Sequence, residues 1–369
     1  MHREKVFWLG WQLLLPGSAR RIHALAGRFG SPGAAWAAPA GNLAGADKLS
    51  LEKAVELAGR RAEIDPEAEL RRLEQSGTGY VTLEEPAYPR RLREIFDPPP
   101  GLFYRGQLPG RDTPAVAIVG SRRPTAYGLA VAENLGRQMA RAGVLVISGM
   151  ARGIDTAAHL GALGAGGPTV AVLGCGVDVV YPRENKQVME KIAAAGAVLS
   201  EFPPGSVPEA WHFPVRNRII SGLADALVVV EAAERSGALI TADLALEQGR
   251  EVLAVPGNIT SPLSRGPNRL IKQGARLVEA PEDILEELGL DALFKMKETE
   301  SAGWPLLTND EDLLLKMLAE EPVPLDQLIE KSTLPPGQIM AALTFLEMKG
   351  LVRQLPGKHY ALTGAAARF

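Results

Sequence analysis

The chain has 369 residues, 46% of them hydrophobic and 22% charged, with a net charge of −3. That length exceeds one compact core and suits two or three domains, and the near-neutral balance excludes nucleic-acid binding through a basic field of the whole chain, leaving only a local patch. No run of about 18 apolar residues offers a membrane-spanning helix, and the single cysteine, Cys175, excludes an internal disulfide framework and fits a reducing cytoplasm.

Residues 1–76 read as helical. MHREKVFWLGWQLLLPGSAR is expected to be a core helix rather than a leader, because its apolar patch is short and broken by Gly10 and Gln12. LPGSARRIHALAGRFG places a glycine-bearing turn before a basic helix. One helix-hairpin-helix unit has this pattern and meets a DNA phosphate with its turn amides; small helical domains also use such a turn for packing alone. Residues 77–112 are rich in proline and arginine, which disfavours long regular elements and suggests a connector laid over the next domain.

Residues 113–289 alternate strand and helix patterns. AVAIVG, VLVIS, TVAVLG, AVLSE, ALVVVEA and EVLAVPG are short, β-branched and apolar on both faces, as strands of a buried parallel sheet are. The stretches between them are long enough for crossover helices, so the expected fold class is α/β, a doubly wound, mostly parallel Rossmann-like sheet. After a charged linker at 290–304, residues 305–369 spell three short amphipathic helices and two strands around a Pro-Gly turn, a winged helix. Its recognition-helix candidate, residues 338–349, offers only Gln338, Thr344, Glu347 and Lys349 as polar groups. A DNA-reading helix is basic, so this wing is expected to bind protein or to serve as packing.

In an open α/β sheet, ligands bind beyond the carboxyl ends of the strands. Those loops carry Arg122, Arg123, Arg152, Arg183, Arg216 and Arg218, a concentrated basic rim on a slightly acidic domain. The Gly120-Ser121 and Ser148-Gly149 turns are expected to present backbone N–H groups at helix starts, where phosphate is favoured; Gly153 and Asn217 sit in the same loops. Arginine adds a permanently charged fork that grips phosphate through two hydrogen bonds. Tyr127, Tyr181, Phe202, Trp211 and Phe213 lie beside the arginines as candidate base-stacking faces, although each ring taken alone is also explained by packing under its loop.

A dinucleotide fingerprint would need glycines two and five positions after Gly120, where Arg122 and Thr125 stand, and no acidic ribose clamp ends the second strand. No zinc-ligand cluster or Walker sequence is found, so neither metal nor cofactor is expected, and no catalytic residue is assigned. Asp155 and His159, four apart in GIDTAAH, read as a helix-start acid and a histidine that steadies it. Glu231 and Glu247 bracket SGALIT and read as structural carboxylates that order the arginine loops.

Together the stretches GSRRPTAYG, SGMARGIDTAAH, AVLGCGVDVVYPREN, SEFPPG, FPVRNRIISGL, VVVEA, SGALITA and GREVLAVPG resemble the DprA/Smf family of DNA-processing proteins. The resemblance implies a Rossmann-like domain that binds single-stranded DNA, usually as a homodimer, and helps load the RecA recombinase in natural transformation, without catalysis. It places the family's Gly-Ser-Arg DNA turn on Gly120, Ser121 and Arg122, and its other motifs on SGMARG and on Arg216 to Arg218. It also implies a SAM-like or helix-hairpin-helix module before the sheet. One rival reading is a nucleotide phosphoribohydrolase of the related lysine-decarboxylase-like group. Its PGGxGTxxE loop is replaced here by EAAERSGALITADLALE, without the glycine pair. Another is an adaptor that senses a small nucleotide while the winged helix engages a partner.

Overall fold

The computed structural model describes residues 2–110, 112–290, 308–318, 322–332, 334–348, 351–355 and 357–363. The chain divides into two compact units, Met1–Asp291 and Ala292–Phe369.

The first unit opens with helices α1 (His2–Leu14), α2 (Ala19–Phe29), α3 (Pro32–Ala37), α4 (Ala40–Leu43), α5 (Leu51–Ala62) and α6 (Pro66–Gln75). Local chemistry sets their ends. Asp65 accepts the Glu67 and Ala68 amides, and Pro66 needs no amide partner at the first helical position, so α6 starts there. Trp11, Leu14, Ile22, Leu25 and Leu43 fill a core between these helices. The opposite face of α1 sends Val6 and Leu9 into a second core with Phe103, Leu173 and Cys175 of the sheet region. α1 is thus a core helix on both sides.

The Pro/Arg-rich stretch contributes more than a covering connector. Its short strands β1 (Gly79–Thr82) and β2 (Gly101–Gly106) pair antiparallel, flank α7 (Arg90–Arg93), and extend the sheet. Tyr88 and Leu92, between them, are fully buried. The sheet continues through β3 (Ala115–Val119), β4 (Leu145–Ser148), β5 (Thr169–Leu173), β6 (Ala197–Ser200), β7 (Ala226–Val229), β8 (Glu251–Ala254) and β9 (Arg276–Leu277). Its nine strands run in the order β1-β2-β6-β5-β4-β3-β7-β8-β9, parallel from β6 to β9, with β2 antiparallel to β6. The six apolar runs read from the sequence are β3 to β8, and β3 to β7 are buried at every position.

Helices α8 (Ala126–Arg141), α9 (Ile154–Gly164), α10 (Lys186–Ala195), α11 (His212–Leu223), α12 (Gly237–Glu247) and α13 (Arg265–Lys272) connect the strands, and α14 (Pro281–Glu287) follows β9. From β3 the chain works outward through β4 and β5 to β6, then returns along α11 to β7 on the other side of β3. The carboxyl ends of β3 and β7 therefore diverge at a switch point, where a doubly wound sheet opens a crevice.

In the second unit α15 (Asn309–Met317), β10 (Val323–Pro324), α16 (Leu325–Lys331), α17 (Pro336–Met348), β11 (Val352–Leu355) and β12 (His359–Leu362) make a winged helix, its three strands ordered β10-β12-β11. Thr308 and Glu311 close a reciprocal capping box at the start of α15. On α17 the exposed face carries Gln338, Met340, Thr344 and Phe345 but no cation; Lys349 lies outside the described residues.

Candidate nucleic-acid interface

At the switch point a cavity of about 430 Å³ opens between the ends of β3 and β7, lined among others by Gly120, Ser121, Arg122, Phe213, Arg216 and Asn217. A smaller pocket adjoins it across Arg122, Phe213 and Arg216 and reaches Gly149, Arg152 and Tyr181. These residues come from four separate loops and share one edge because each loop leaves the carboxyl end of a parallel strand.

The loop after β3 is held from below by Glu231 at the end of β7. Its carboxylate is buried and accepts the Thr125 amide at 2.8 Å and the Thr125 hydroxyl at 2.6 Å, while its carbonyl takes the Ser121 amide at 2.7 Å. The Ser121 N–H is therefore engaged within the protein. What the loop offers outward is the exposed pair Arg122 and Arg123. Glu231 orders the arginine loop, as expected; Glu247 is exposed on α12, away from that bond.

Arg216 is the buried counterpart. One turn into α11, it is only 4% exposed and donates to the Gly149 carbonyl at 2.8 Å, to the Val172 carbonyl and to Asn217 Oδ1. Gly149 is required here, since a β-carbon would stand 2.6 Å from the guanidinium. Gly153 meets two constraints at once, φ +78° and Ser121 O at 2.4 Å from a β-carbon. Burial lowers the Arg216 pKa to about 10, with Arg122 adding repulsion and Asp155 opposing it, so the side chain stays charged at neutral pH. The same burial raises the Asp155 carboxyl above its ordinary value.

Between the two arginines stands Phe213. Its ring centre lies 5.1 Å from the Arg122 guanidinium, 5.9 Å from that of Arg216 and 5.6 Å from the Tyr181 ring. Two cations against one aromatic ring, beside an exposed tyrosine, form a rim suited to a phosphate with its base. Arg152 is exposed and pairs with Glu184; Arg183 is exposed in the next turn.

Other candidates sit elsewhere. Ser148 is fully buried with its hydroxyl on the Ile118 carbonyl, and Phe202 is fully buried with His212 stacked on it at 3.9 Å, so neither offers a surface to a ligand. Arg218, two residues after Arg216, points to the other side of α11, because a helix turns about 200° in two residues. It is 5% exposed and holds Glu201 at 2.8 and 2.9 Å and Asp97 at 3.2 Å, which corrects its reading as a phosphate contact. Burial pulls its pKa down, but Glu201 and Asp97 outweigh that and raise it. Trp211 is half-exposed beyond the start of α11, with its indole N–H on Glu209. Tyr127 is exposed with its hydroxyl 3.4 Å from the Pro256 carbonyl. His159 does not steady Asp155: its Nδ1 meets the Thr169 hydroxyl at 2.8 Å and its Nε2 is buried without a partner.

The cavity also takes in Ser236, Gly237 and Thr241 at the start of α12. The sequence places SGALITA among the family motifs and its flanking glutamates as structural, but assigns Ser236, Gly237 and Thr241 no binding role. Among the described residues no cluster of three or more His, Cys, Asp or Glu could hold a metal ion, and no helix is long and apolar enough to cross a membrane.

Residues 79–289 match the family model for DNA recombination-mediator protein A, and residues 299–358 match that for the DprA winged helix domain. The chain is 36% identical to protein Smf of Synechocystis sp. over 394 residues, covering 97% of this chain and 98% of that protein. It is 40% identical over 298 residues to protein Smf of Escherichia coli, covering 79% and 80%. Among solved structures it is similar to DNA processing protein A of Streptococcus pneumoniae, at 37% identity and a TM-score of 0.66, over 75% of this chain and 95% of that one. It is also similar to DNA processing protein A of Helicobacter pylori, a structure described for its single-stranded DNA binding mode, at 32% identity and a TM-score of 0.52, over 59% and 96%.

Proposed function

Since the chain belongs to the DNA recombination-mediator protein A family, the DprA/Smf proteins, we propose that its switch-point cleft binds single-stranded DNA without catalysis and that the protein promotes RecA loading during recombination and natural transformation. The observation that carries the binding reading is Phe213 set between Arg122 and Arg216 beside Tyr181, with Arg152 at the rim. Exposed arginine supplies phosphate contacts whose strength depends on salt, and aromatic faces accept bases with little sequence preference. The relative from Helicobacter pylori, named for its single-stranded DNA binding mode, supports the same ligand.

Two further features support a binding role over hydrolysis. The stretch EAAERSGALITADLALE lacks the glycine pair of the hydrolase loop, and its first glutamate, Glu231, has both carboxylate oxygens bonded to Thr125. Arg216 is committed to two carbonyls and an amide, a fixed electrostatic wall rather than a mobile acid or base. Pairing into a homodimer through the α/β region is supported by exposed Leu129 and Leu160 on α8 and α9, helices that pack side by side.

The test is fluorescence anisotropy of a labelled oligo-dT and of its duplex at two salt concentrations, for the natural chain and Arg122→Ala. Preference for the single strand, steep salt dependence and weakening by the substitution are expected. Equal binding of duplex and single strand, or an indifferent variant, would overturn the reading. RecA filament assembly on the same oligonucleotide, followed with and without the protein, tests the loading role.

A further inference from the structure

The glycine-bearing turn before α2 is left unused by the cleft, yet it lies against the same helix. α11 presents Phe213, Arg216 and Asn217 to the cleft and Val215 and Arg218 to a second, open groove of about 230 Å³. Gly17, Ser18, Arg20 and Arg21 form the other wall of that groove. The two surfaces meet at the start of α11. Phe213 belongs to the cleft, and Trp211, two residues earlier, is 47% exposed and packs on the turn, where a β-carbon at Gly17 would come within 2.9 Å of its ring.

Charge in the groove is unevenly spent. Arg218 is neutralised by Glu201 and Asp97, and Arg21 stands 3.6 Å from Asp47. Arg20 has no carboxylate within ion-pairing distance among the described residues; its guanidinium lies instead over the Phe96 ring, 5.4 Å from the centre. Phe96 is 86% exposed although its neighbours Ile95 and Leu92 are buried, so it contributes almost nothing to the core. An unspent arginine stacked on a bare aromatic ring repeats, on the other side of α11, the pairing of Arg122 with Phe213.

We infer that a single strand held in the cleft continues over Trp211 and the Gly17-Ser18 turn onto the N-terminal helices, where Arg20 takes a phosphate and Phe96 stacks a base. This rests on the cleft reading and extends it: the N-terminal helices lengthen the binding site instead of forming a separate one. A single strand fits this path better than a duplex, because its bases are free to meet Trp211 and Phe96 on one side of the backbone.

Oligo-dT of about 4 and about 16 nucleotides, bracketing the site sizes of single-strand-binding modules, separates the two surfaces. Full-length chains carrying Phe96→Ala or Arg20→Ala are titrated by anisotropy against both lengths, with Arg122→Ala and a duplex of the longer sequence in parallel. The expected result is that Arg122→Ala weakens both lengths, whereas Phe96→Ala and Arg20→Ala leave the short strand unchanged and weaken the long one roughly fivefold or more. Long-strand affinity unchanged in both groove variants, or short and long strands weakened alike, would overturn the extension while leaving the cleft intact. Loss confined to the duplex would overturn it in favour of a double-stranded ligand. Failure of the natural chain to bind either length would overturn the cleft reading and the extension with it. Both substituted side chains are exposed, so circular dichroism is expected to match the natural chain.

Discussion

The Arg122 guanidinium and the Phe213 ring reach each other across the switch point, 5.1 Å apart, one from the loop after β3 and the other from the first turn of α11. Arg122 thus has its direction set by an aromatic face rather than by a carboxylate, which leaves its charge for a ligand.

Separating charge from direction gives two distinguishable outcomes. Arg122→Ala is expected to lower single-strand affinity and to reduce the slope of log affinity against log salt by about one. Phe213→Ala is expected to cost about 1–3 kcal/mol of binding through lost stacking and a loosened Arg122, with the slope retained because no charge is removed. A Phe213 variant whose slope falls as far as that of Arg122→Ala would refute this division.

Arg218 and Arg216 differ in what they support. Arg218→Ala leaves Glu201, 1% exposed, without its partner, and the cost is expected to be about 3–5 kcal/mol of folding stability. Denaturant unfolding measures it. Binding by the folded fraction is expected to keep its salt slope, and a drop in slope would return Arg218 to the phosphate contacts.

Glu231→Gln keeps the shape of the group that holds Thr125 but replaces one of its two acceptors with a donor. The Thr125 hydroxyl can turn to accept from the new amide, so the loss is that of a charged acceptor and is expected to cost about 1 kcal/mol of stability. Single-strand affinity is expected to fall with it, because the loop carrying Arg122 loses its anchor. Normal affinity at normal stability would show that the loop is ordered by other contacts.

His159 links folding to pH. Burial holds its imidazole neutral, lowering its pKa from 6.5 to about 3, with Arg216 adding repulsion. The folded value is depressed, so its contribution is fully present above pH about 6.5 and is lost as pH falls toward about 3, at about 1.4 kcal/mol per pH unit. Asp155, raised by burial, has the opposite sign: its contribution is present at low pH and is lost as pH rises. The stability difference between the natural chain and His159→Leu isolates the histidine, and it is expected to shift in favour of the variant as pH is lowered. A difference independent of pH would sink the assignment.

The sheet was legible because β3 to β7 are buried on both faces, so their sequences are apolar without alternation. β1 and β2 were not, since five prolines between Glu85 and Gly101 break the pattern and the two strands are recruited by pairing, not by local propensity. At the site, glycine and arginine at strand ends identified the correct edge. The sequence alone did not say which arginine faces the cleft. Arg216 and Arg218 look equivalent in RNR, yet their separation on a helix sends one to Gly149 and the other to Glu201. Likewise Phe202 and Phe213 both lie in the stretch that leads from β6 into α11, and only packing decides that the first is stacked under His212 and the second faces the exposed Arg122.

Gln12 of α1 donates to the main-chain oxygens of Gly101 and Glu201 and receives the Tyr80 hydroxyl, all out of water. A shortened chain beginning at Gly77 would strand those three polar groups and strip Val6 and Leu9 from the sheet's own core. Deleting the N-terminal helices is therefore a core lesion as well as a removal of surface. Evolutionary or laboratory exchange of this module has to carry a replacement for Gln12, whereas Arg20, exposed at the periphery, can change without opening that core.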